Sequence, residues 1–205
     1  MSLFDRCYYA FWKNLIYYFG KVYWRLRYNN QTEIPREGKL VLIANHQSFL
    51  DPPLIGIGMP RQGHYMARDT LFKGLLGWHI RHVNAFPVSH TGSAVAGIKE
   101  TLRLLKQDKA VLIFPEGTRT EDGKLGEFHK GIISVARRSK APILPCVIQG
   151  AYEAWPRHAK FFKPYPITVT YGKLIPAEQI QEMDEDELLV YLRDTIREML
   201  GEEEN

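Results

Sequence analysis

The 205-residue chain has the composition of an ordinary globular protein, with 45% hydrophobic and 24% charged residues, and its length fits one domain with a sizeable core. Its two cysteines, Cys7 and Cys146, exclude a disulfide framework and favour a reducing, cytosolic setting. Eleven acids and two arginines follow position 177, so the net charge of +4 conceals a basic body in residues 1–177. This surplus suits an anionic bilayer or substrate, or is spread over a solvated surface; no nucleic-acid-binding motif accompanies it.

The N-terminal segment, residues 1–28, is strongly aromatic and basic. Six of the eleven tyrosines and two of the four tryptophans lie within it, and Lys13 and Lys21 interrupt its apolar residues. It therefore contains neither a run of about 18 apolar residues that could cross a membrane nor the cleavage pattern of a signal peptide. Since Tyr and Trp favour the headgroup level of a bilayer, we predict that this segment is a helix lying in the membrane interface. The alternative is a helix packed on the core of the domain.

The rest of the chain, residues 29–205, alternates between strand-like and helix-like patterns. Continuous apolar runs, typical of strands buried on both faces, lie at 39–44, 109–114 and 143–149. Shorter strands are predicted at 64–67, 83–88 and 167–171, and helices at 70–79, 92–106, 130–138 and 185–200. This alternation predicts an α/β fold with a mostly parallel sheet flanked by helices. In such a fold, the loops that follow strands gather at the carboxyl edge of the sheet, where functional sites form.

The first candidate site follows the first apolar run and reads A-N-H-Q-S-F-L-D over residues 44–51. His46 is a candidate general base, and Asp51 could accept a hydrogen bond from its ring and fix the tautomer. On a continuous helix, two side chains five residues apart would diverge by roughly 140°, so a loop or helix start must bring them together. Two alternatives remain open. Ser48 and Asp51 form a capping box beside an ordinary histidine, or His46 and Asp51 are metal ligands of a hydrolase.

The second candidate site follows the apolar run 109–114 and reads F-P-E-G-T-R over residues 114–119. Taken alone, it is a turn with a surface Glu–Arg pair. Together, the two motifs resemble those of the glycerolipid acyltransferase family, the 1-acylglycerol-3-phosphate (lysophosphatidic acid) O-acyltransferases. Residues 64–73 and 141–148 resemble further blocks of that family, so the resemblance extends over residues 39–150.

The resemblance implies acyl transfer to an alcohol. His46 would remove the proton of the substrate's hydroxyl, and Asp51 would orient His46 and stabilise the imidazolium, so that no covalent acyl-enzyme is required. Residues 29–205 would form the acyltransferase domain. Further residues would hold the glycerol backbone, shape the pocket or clamp the phosphate: Glu116, Gly117, Thr118, Arg119, Arg68, Lys130 and His90.

One block departs from the family pattern. Residues 84–90 read N-A-F-P-V-S-H where the family has Gly-x-Phe-x-x-x-Arg, so Asn84 replaces the glycine and His90 replaces the arginine. A histidine is a poorer phosphate partner than an arginine. Either Arg68 and Arg119 suffice for a phosphomonoester, or the acceptor carries a different head group.

The sequence therefore predicts an O-acyltransferase at the cytoplasmic face of a membrane, held there peripherally or monotopically. It would move a fatty acyl group from acyl-CoA or acyl carrier protein (acyl-ACP) to a lysolipid, foremost 1-acyl-sn-glycerol-3-phosphate, giving phosphatidic acid in phospholipid biosynthesis. No cofactor and no metal are expected, and the expected partners are the acceptor, the acyl donor and the membrane surface, with no nucleic acid. The alternatives are a lysophospholipid or aminolipid remodelling acyltransferase and a non-catalytic lipid-binding protein on the same fold.

Overall fold

A seven-stranded sheet flanked by helices forms the protein in its computed structural model, which describes residues 3–88 and 95–202. The strands are β1 (Arg27–Asn29), β2 (Leu40–Ala44), β3 (Gly63–Arg68), β4 (Ala85–Val88), β5 (Ala110–Ile113), β6 (Ile143–Gln149) and β7 (Thr168–Tyr171). The helices are α1 (Leu3–Tyr23), α2 (Asp51–Gly58), α3 (Gly74–His82), α4 (Val95–Leu105), α5 (Lys130–Ser139), α6 (Ala151–Ala154), α7 (Ala177–Glu182) and α8 (Glu185–Leu200).

The sheet is mostly parallel, as predicted. The strand order is β1-β7-β6-β2-β5-β3-β4, and neighbouring strands run parallel except for the antiparallel pair β6 and β7. The register places Val41 of β2 between Val111 of β5 and Ile143 of β6. Both β2 and β5 are buried at every residue, as central strands covered by helices on both faces must be. Each of the six predicted strands is present, and the predicted α/β fold is confirmed.

Two apolar cores, one on each face of the sheet, hold the layers together. In β2, Leu40 and Leu42 belong to the core under α1 and α2, whereas Val41 and Ile43 belong to the core under α4, α5 and α8. The alternation follows from the two-residue repeat of a strand. Each such side chain contributes about 1.5–3 kcal/mol when it is removed from water.

Helix α8 begins and ends where the sequence predicts, because both of its ends are capped. Asp184 accepts hydrogen bonds from the backbone N–H groups of Asp186 and Glu187, and the Glu187 side chain accepts one from the N–H of Asp184. At the other end Gly201 takes a φ of +73°, the left-handed conformation that terminates helices.

The other predicted helices are present with different bounds. The pattern at 70–79 predicts one helix, but the chain forms a 3-10 turn at Asp69–Leu71 and then α3. Gly74, at the start of α3, takes a φ of +56°, which breaks a continuous helix. The predictions at 92–106 and 130–138 correspond to α4 and α5, although residues 92–94 lie outside the described ranges.

The N-terminal helix is shorter than the predicted segment 1–28. Helix α1 ends at Tyr23, and the next segment forms β1, which pairs with β7. Trp24 and Leu26, between α1 and β1, are buried in the core shared with α2. Residue 28, at which the predicted N-terminal segment ends, lies inside β1.

Helix α1 packs against α2 and α3 and leaves an apolar face in contact with solvent. Within the described ranges, no helix combines the length and hydropathy needed to cross a membrane. The exposed apolar side chains of α1 are Leu3, Phe4, Phe11, Leu15, Tyr18, Phe19 and Val22.

Candidate active site

Loops that follow four adjacent strands meet at one edge of the sheet. The strands β6, β2, β5 and β3 are neighbours and run parallel, so their carboxyl ends lie side by side. The segments that follow these ends are residues 45–50 after β2, 114–129 after β5 and 150–166 after β6, and Arg68 is the last residue of β3. The topology therefore brings both predicted motifs to the same edge.

The pair predicted from the H-x4-D spacing is formed. His46 Nδ1 lies 2.7 Å from Asp51 Oδ2, so Nδ1–H is the donor and the lone pair of Nε2 remains available to accept a proton. Asp51 is the first residue of α2, and this helix start turns the chain back towards His46. The same Oδ2 accepts hydrogen bonds from the backbone N–H groups of Gln47 (2.6 Å) and Ser48 (2.7 Å), and the carboxylate is fully buried. These bonds fix the carboxylate, which in turn fixes the tautomer and the plane of the ring.

The geometry bears on both alternatives for this motif. The Ser48 hydroxyl donates to the backbone C=O of Trp155 at 2.8 Å and accepts from the N–H of Leu50, so it does not cap Asp51 as a capping box requires. His46 and Asp51 are hydrogen-bonded to each other through Nδ1 and Oδ2. In the chain as far as it is described, no group of three or more His, Cys, Asp or Glu side chains is arranged to hold a metal ion.

The residues beside His46 anchor its loop. Asn45 is buried and makes two hydrogen bonds of 2.9 Å to the backbone of Ile148 in β6, one as donor and one as acceptor. Gln47 donates to the C=O of Gly123 at 3.2 Å. These hydrogen bonds could not be predicted from the sequence, since polar residues in a loop give no sign of their distant partners.

The second motif holds the first in place. Glu116 Oε2 accepts the backbone N–H of His46 at 3.1 Å, and the N–H of Thr120 donates to the backbone C=O of His46 at 2.8 Å. The other oxygen of Glu116, Oε1, is buried and has no hydrogen-bond partner among the residues that the structure describes. Burial raises the pKa of Glu116 to about 8, although the N–H of His46 acts in the opposite direction. The buried carboxyl group therefore keeps its proton to a higher pH than an exposed glutamate does.

A tight turn places Glu116 and a stacking ring beside His46. The N–H of Gly117 donates to the C=O of Phe114 at 3.1 Å, with Pro115 at the second position of the turn. Gly117 has a φ of +67°, and a Cβ there would lie 3.1 Å from a ring atom of His129, so the turn requires glycine. The ring of Phe114 stacks on His46 with 4.0 Å between centroids, which restricts the imidazole further.

Three arginine side chains, those of Arg119, Arg68 and Arg157, interact electrostatically at this edge of the sheet. The guanidinium of Arg119 lies over the ring of Phe49, 3.6 Å from its centroid, and its buried Nη1 has no hydrogen-bond partner within residues 3–88 and 95–202. Arg68 is exposed at the end of β3. Burial, and then the positive charges of Arg157 and Arg68, lower the pKa of Arg119, whereas Asp51 raises it. The site therefore carries a surplus of positive charge beside the His46–Asp51 pair.

The remaining predicted phosphate-binding residues are placed differently. Lys130 Nζ lies 2.6 Å from Asp186 Oδ1, so its charge is already paired with the first turn of α8. His90 lies outside the described residues. Thr118 is exposed, and its hydroxyl lies 3.3 Å from Nη1 of Arg157, a residue outside both sequence motifs.

An apolar cavity of about 440 Å³ lies beside the His46 loop, between α1, α2, α3 and the ends of β3 and β4. Phe49 and Pro52, from the H-x4-D segment and the start of α2, form part of its wall, together with Trp155. Lys13 of α1 donates a hydrogen bond of 2.7 Å to the C=O of Met59, which holds α1 against the end of α2. Helix α1 contributes four side chains to the wall: Tyr9, Trp12, Lys13 and Ile16.

Two described side chains near this pair that could act as nucleophiles, those of Ser48 and Cys146, are not activated. The Ser48 hydroxyl is occupied in two hydrogen bonds. Cys146 is completely buried, and burial raises the pKa of its thiol. The arrangement is that of an oriented base whose nucleophile must come from a bound substrate.

Comparisons with known proteins agree with this chemistry. The family model described as Acyltransferase matches residues 25–149, more than half of the chain. A 1-acyl-sn-glycerol-3-phosphate acyltransferase of Bacillus subtilis (strain 168) is 29% identical over 179 residues, 86% of this chain and 86% of that protein. Another from Cocos nucifera is 32% identical over 148 residues, 70% of this chain and 48% of its own length.

A solved structure has a similar fold. The crystal structure of the 1-acyl-sn-glycerophosphate (LPA) acyltransferase PlsC from Thermotoga maritima matches with a TM-score of 0.78 and 26% identity, covering 96% of this chain and 78% of that one. The chain thus spans most of the length of these two bacterial proteins and about half of the plant protein.

Proposed function

The chain belongs to the acyltransferase family, and from this premise we propose that it acylates the free hydroxyl of 1-acyl-sn-glycerol-3-phosphate (lysophosphatidic acid) to give phosphatidic acid. The acyl donor in this proposal is acyl-CoA or acyl-ACP. One observation carries the proposal: the His46–Asp51 pair, in which a buried carboxylate at 2.7 Å orients the imidazole and leaves Nε2 available as the base.

The reaction follows from that geometry. Nε2 of His46 takes the proton of the acceptor hydroxyl as its oxygen attacks the thioester carbonyl carbon. Asp51 stabilises the imidazolium that forms. The tetrahedral intermediate then collapses, the C–S bond breaks, and the departing thiolate takes the proton from the imidazolium. The step leaves an ester, a free thiol and His46 in its starting state.

Two of the groups that would hold the acceptor, Glu116 Oε1 and Arg119 Nη1, have no hydrogen-bond partner in the described part of the chain. A glycerol hydroxyl can fill the hydrogen-bonding position at Glu116 Oε1. Nη1 of Arg119 is a buried donor that a phosphate oxygen would satisfy, and Arg68 adds a second cation from β3. Gly117 and Thr118 shape the pocket between these groups.

The fatty acyl chain of the donor would lie in the apolar cavity. Its volume of about 440 Å³ is within the range of small-molecule pockets, and aliphatic and aromatic side chains dominate its walls. Phe49 and Trp155 connect the cavity with the loop that carries His46. An acyl chain seated there would place its thioester near the base.

The exposed apolar face of α1 would dock on a membrane. Phe11, Tyr18 and Val22 expose 61%, 67% and 85% of their surfaces, an arrangement that is costly in water and favourable at the headgroup level. On α3, Leu75 is 88% exposed and extends the apolar surface beyond α1. This placement would bring a lysolipid in the bilayer to the site from the cytoplasmic face, with the protein bound peripherally or monotopically.

Thiol release by the purified protein tests the proposal. With acyl-CoA or acyl-ACP as donor, release should require lysophosphatidic acid. Release with another lysolipid, but not with lysophosphatidic acid, would support the remodelling acyltransferase. That alternative arises because His90 replaces the arginine of the family pattern. Absence of release with every acceptor and both donors, combined with retained lipid binding, would favour the non-catalytic alternative.

A further inference from the structure

Arg157 reaches the site from a part of the chain that neither motif includes. It lies in the loop after β6 and α6, and its Nη1 is 3.3 Å from Thr118 Oγ1 and 3.3 Å from Glu121 Oε1. Its side chain is 29% exposed, so the charge is partly withdrawn from water. The strands β6, β2, β5 and β3 are parallel neighbours. The loop that carries Arg157 therefore lies at the same edge of the sheet as the loop that carries Arg119 and as Arg68 at the end of β3.

Within the described ranges, positive charge exceeds negative charge around Arg157. Three guanidinium groups share this edge, since both Arg157 and Arg68 act on the pKa of Arg119 after the effect of burial. Glu121, the carboxylate that pairs with Arg157, has a side chain that is 74% exposed, and such pairs at the surface are weak. The carboxylate of Asp51 is hydrogen-bonded to His46. Among the described residues, the three guanidinium groups therefore face one exposed carboxylate and one that is already bonded to His46, and such a surplus of positive charge favours an anion, and a dianion more than a monoanion.

We propose that Arg157 is a third phosphate-binding residue, which joins Arg119 and Arg68 and gives the site its preference for a phosphomonoester over a neutral acceptor. The guanidinium of Arg157 can break its ion pair with Glu121 and donate two N–H groups to two phosphate oxygens beside Thr118. This inference rests on the proposed acyltransferase function, because it takes lysophosphatidic acid as the acceptor.

A purely structural role gives a different expectation. If Arg157 only braces the loop through Thr118, its loss would disturb the loop for every ligand alike. A phosphate-binding role affects ligands that carry the phosphate and spares those that lack it. Binding must therefore be compared between two lipids that differ in the phosphate alone.

The experiment compares Arg157→Gln and Arg157→Lys with Lys160→Gln, which removes the same charge from an exposed residue of the same loop. Equilibrium binding of lysophosphatidic acid, and of the monoacylglycerol with the same acyl chain, is measured in detergent micelles. The KM and kcat for lysophosphatidic acid are measured beside it. Binding does not require turnover. The binding measurement therefore tests the phosphate-binding role of Arg157 even if the protein transfers no acyl group and the proposed function fails.

Arg157→Gln should raise the Kd and KM for lysophosphatidic acid about tenfold or more, the loss expected for a charge-assisted hydrogen bond, and leave kcat and monoacylglycerol binding within about twofold. Arg157→Lys should fall between wild type and Arg157→Gln, and Lys160→Gln should match wild type. An Arg157→Gln protein that binds lysophosphatidic acid as Lys160→Gln does would overturn the inference. So would an equal loss for both lipids, or a wild type that does not prefer lysophosphatidic acid.

Discussion

Asp51→Asn removes a buried charge beside His46 while keeping nearly the same side-chain shape. The carboxylate lies 2.7 Å from Nδ1, and the charge of an imidazolium is spread over the ring, so the effective separation is about 4 Å. At an effective dielectric constant of about 20, that attraction is worth about 4 kcal/mol. Because the attraction exists only when His46 is protonated, most of it is gained as the hydroxyl proton is transferred.

We therefore expect Asp51→Asn to lower kcat about 10³-fold, with a small change in KM. The assay is thiol release under saturating donor and acceptor, with the melting temperature measured to show that the variant is folded. Asp194→Asn, the same change on the outer part of α8, should retain wild-type rates. A folded Asp51→Asn protein with a kcat within tenfold of wild type would refute the role given to Asp51.

Two further predictions concern Glu116 and α1. The pKa of Glu116 is raised from 4.5 to about 8, so the folded state holds a proton that the unfolded state releases, and stability should fall as the pH rises from 5 to 8. Glu116→Gln should flatten this fall in melting temperature, and an unchanged slope would count against the raised pKa. Phe11→Glu should weaken co-sedimentation with anionic liposomes several-fold, whereas Val190→Glu, at an exposed apolar position of α8, should not; equal effects would contradict docking through α1.

The sheet could be predicted from the sequence because its central strands are continuous apolar runs. The edge strand β1 could not, because its three residues, Arg27–Asn29, are polar or half-buried and gain their conformation from pairing with β7. For α2, the sequence indicated a loop or helix start between His46 and Asp51 but did not predict a helix over Asp51–Gly58. Its segment contains two prolines and two glycines, which read as turn residues, although Pro52 and Pro53 fit the first turn of a helix.

The site could be predicted where its residues are close in sequence. His46 and Asp51 are five positions apart, and the pairing follows from their spacing once a helix start is allowed between them. The bond from Glu116 to the backbone of His46 spans 70 residues, and that from Arg157 to Thr118 spans 39. Such contacts depend on strand order, which periodicity does not determine. This is why Arg157 appeared only in the structure.

The most direct test of the account is the formation of phosphatidic acid from lysophosphatidic acid and acyl-CoA or acyl-ACP, followed by mass spectrometry, with wild type beside His46→Ala. The account predicts product with wild type and a rate lower by about 10²-fold or more with a folded His46→Ala protein. Near-normal product formation by His46→Ala would contradict the assignment of His46 as the base.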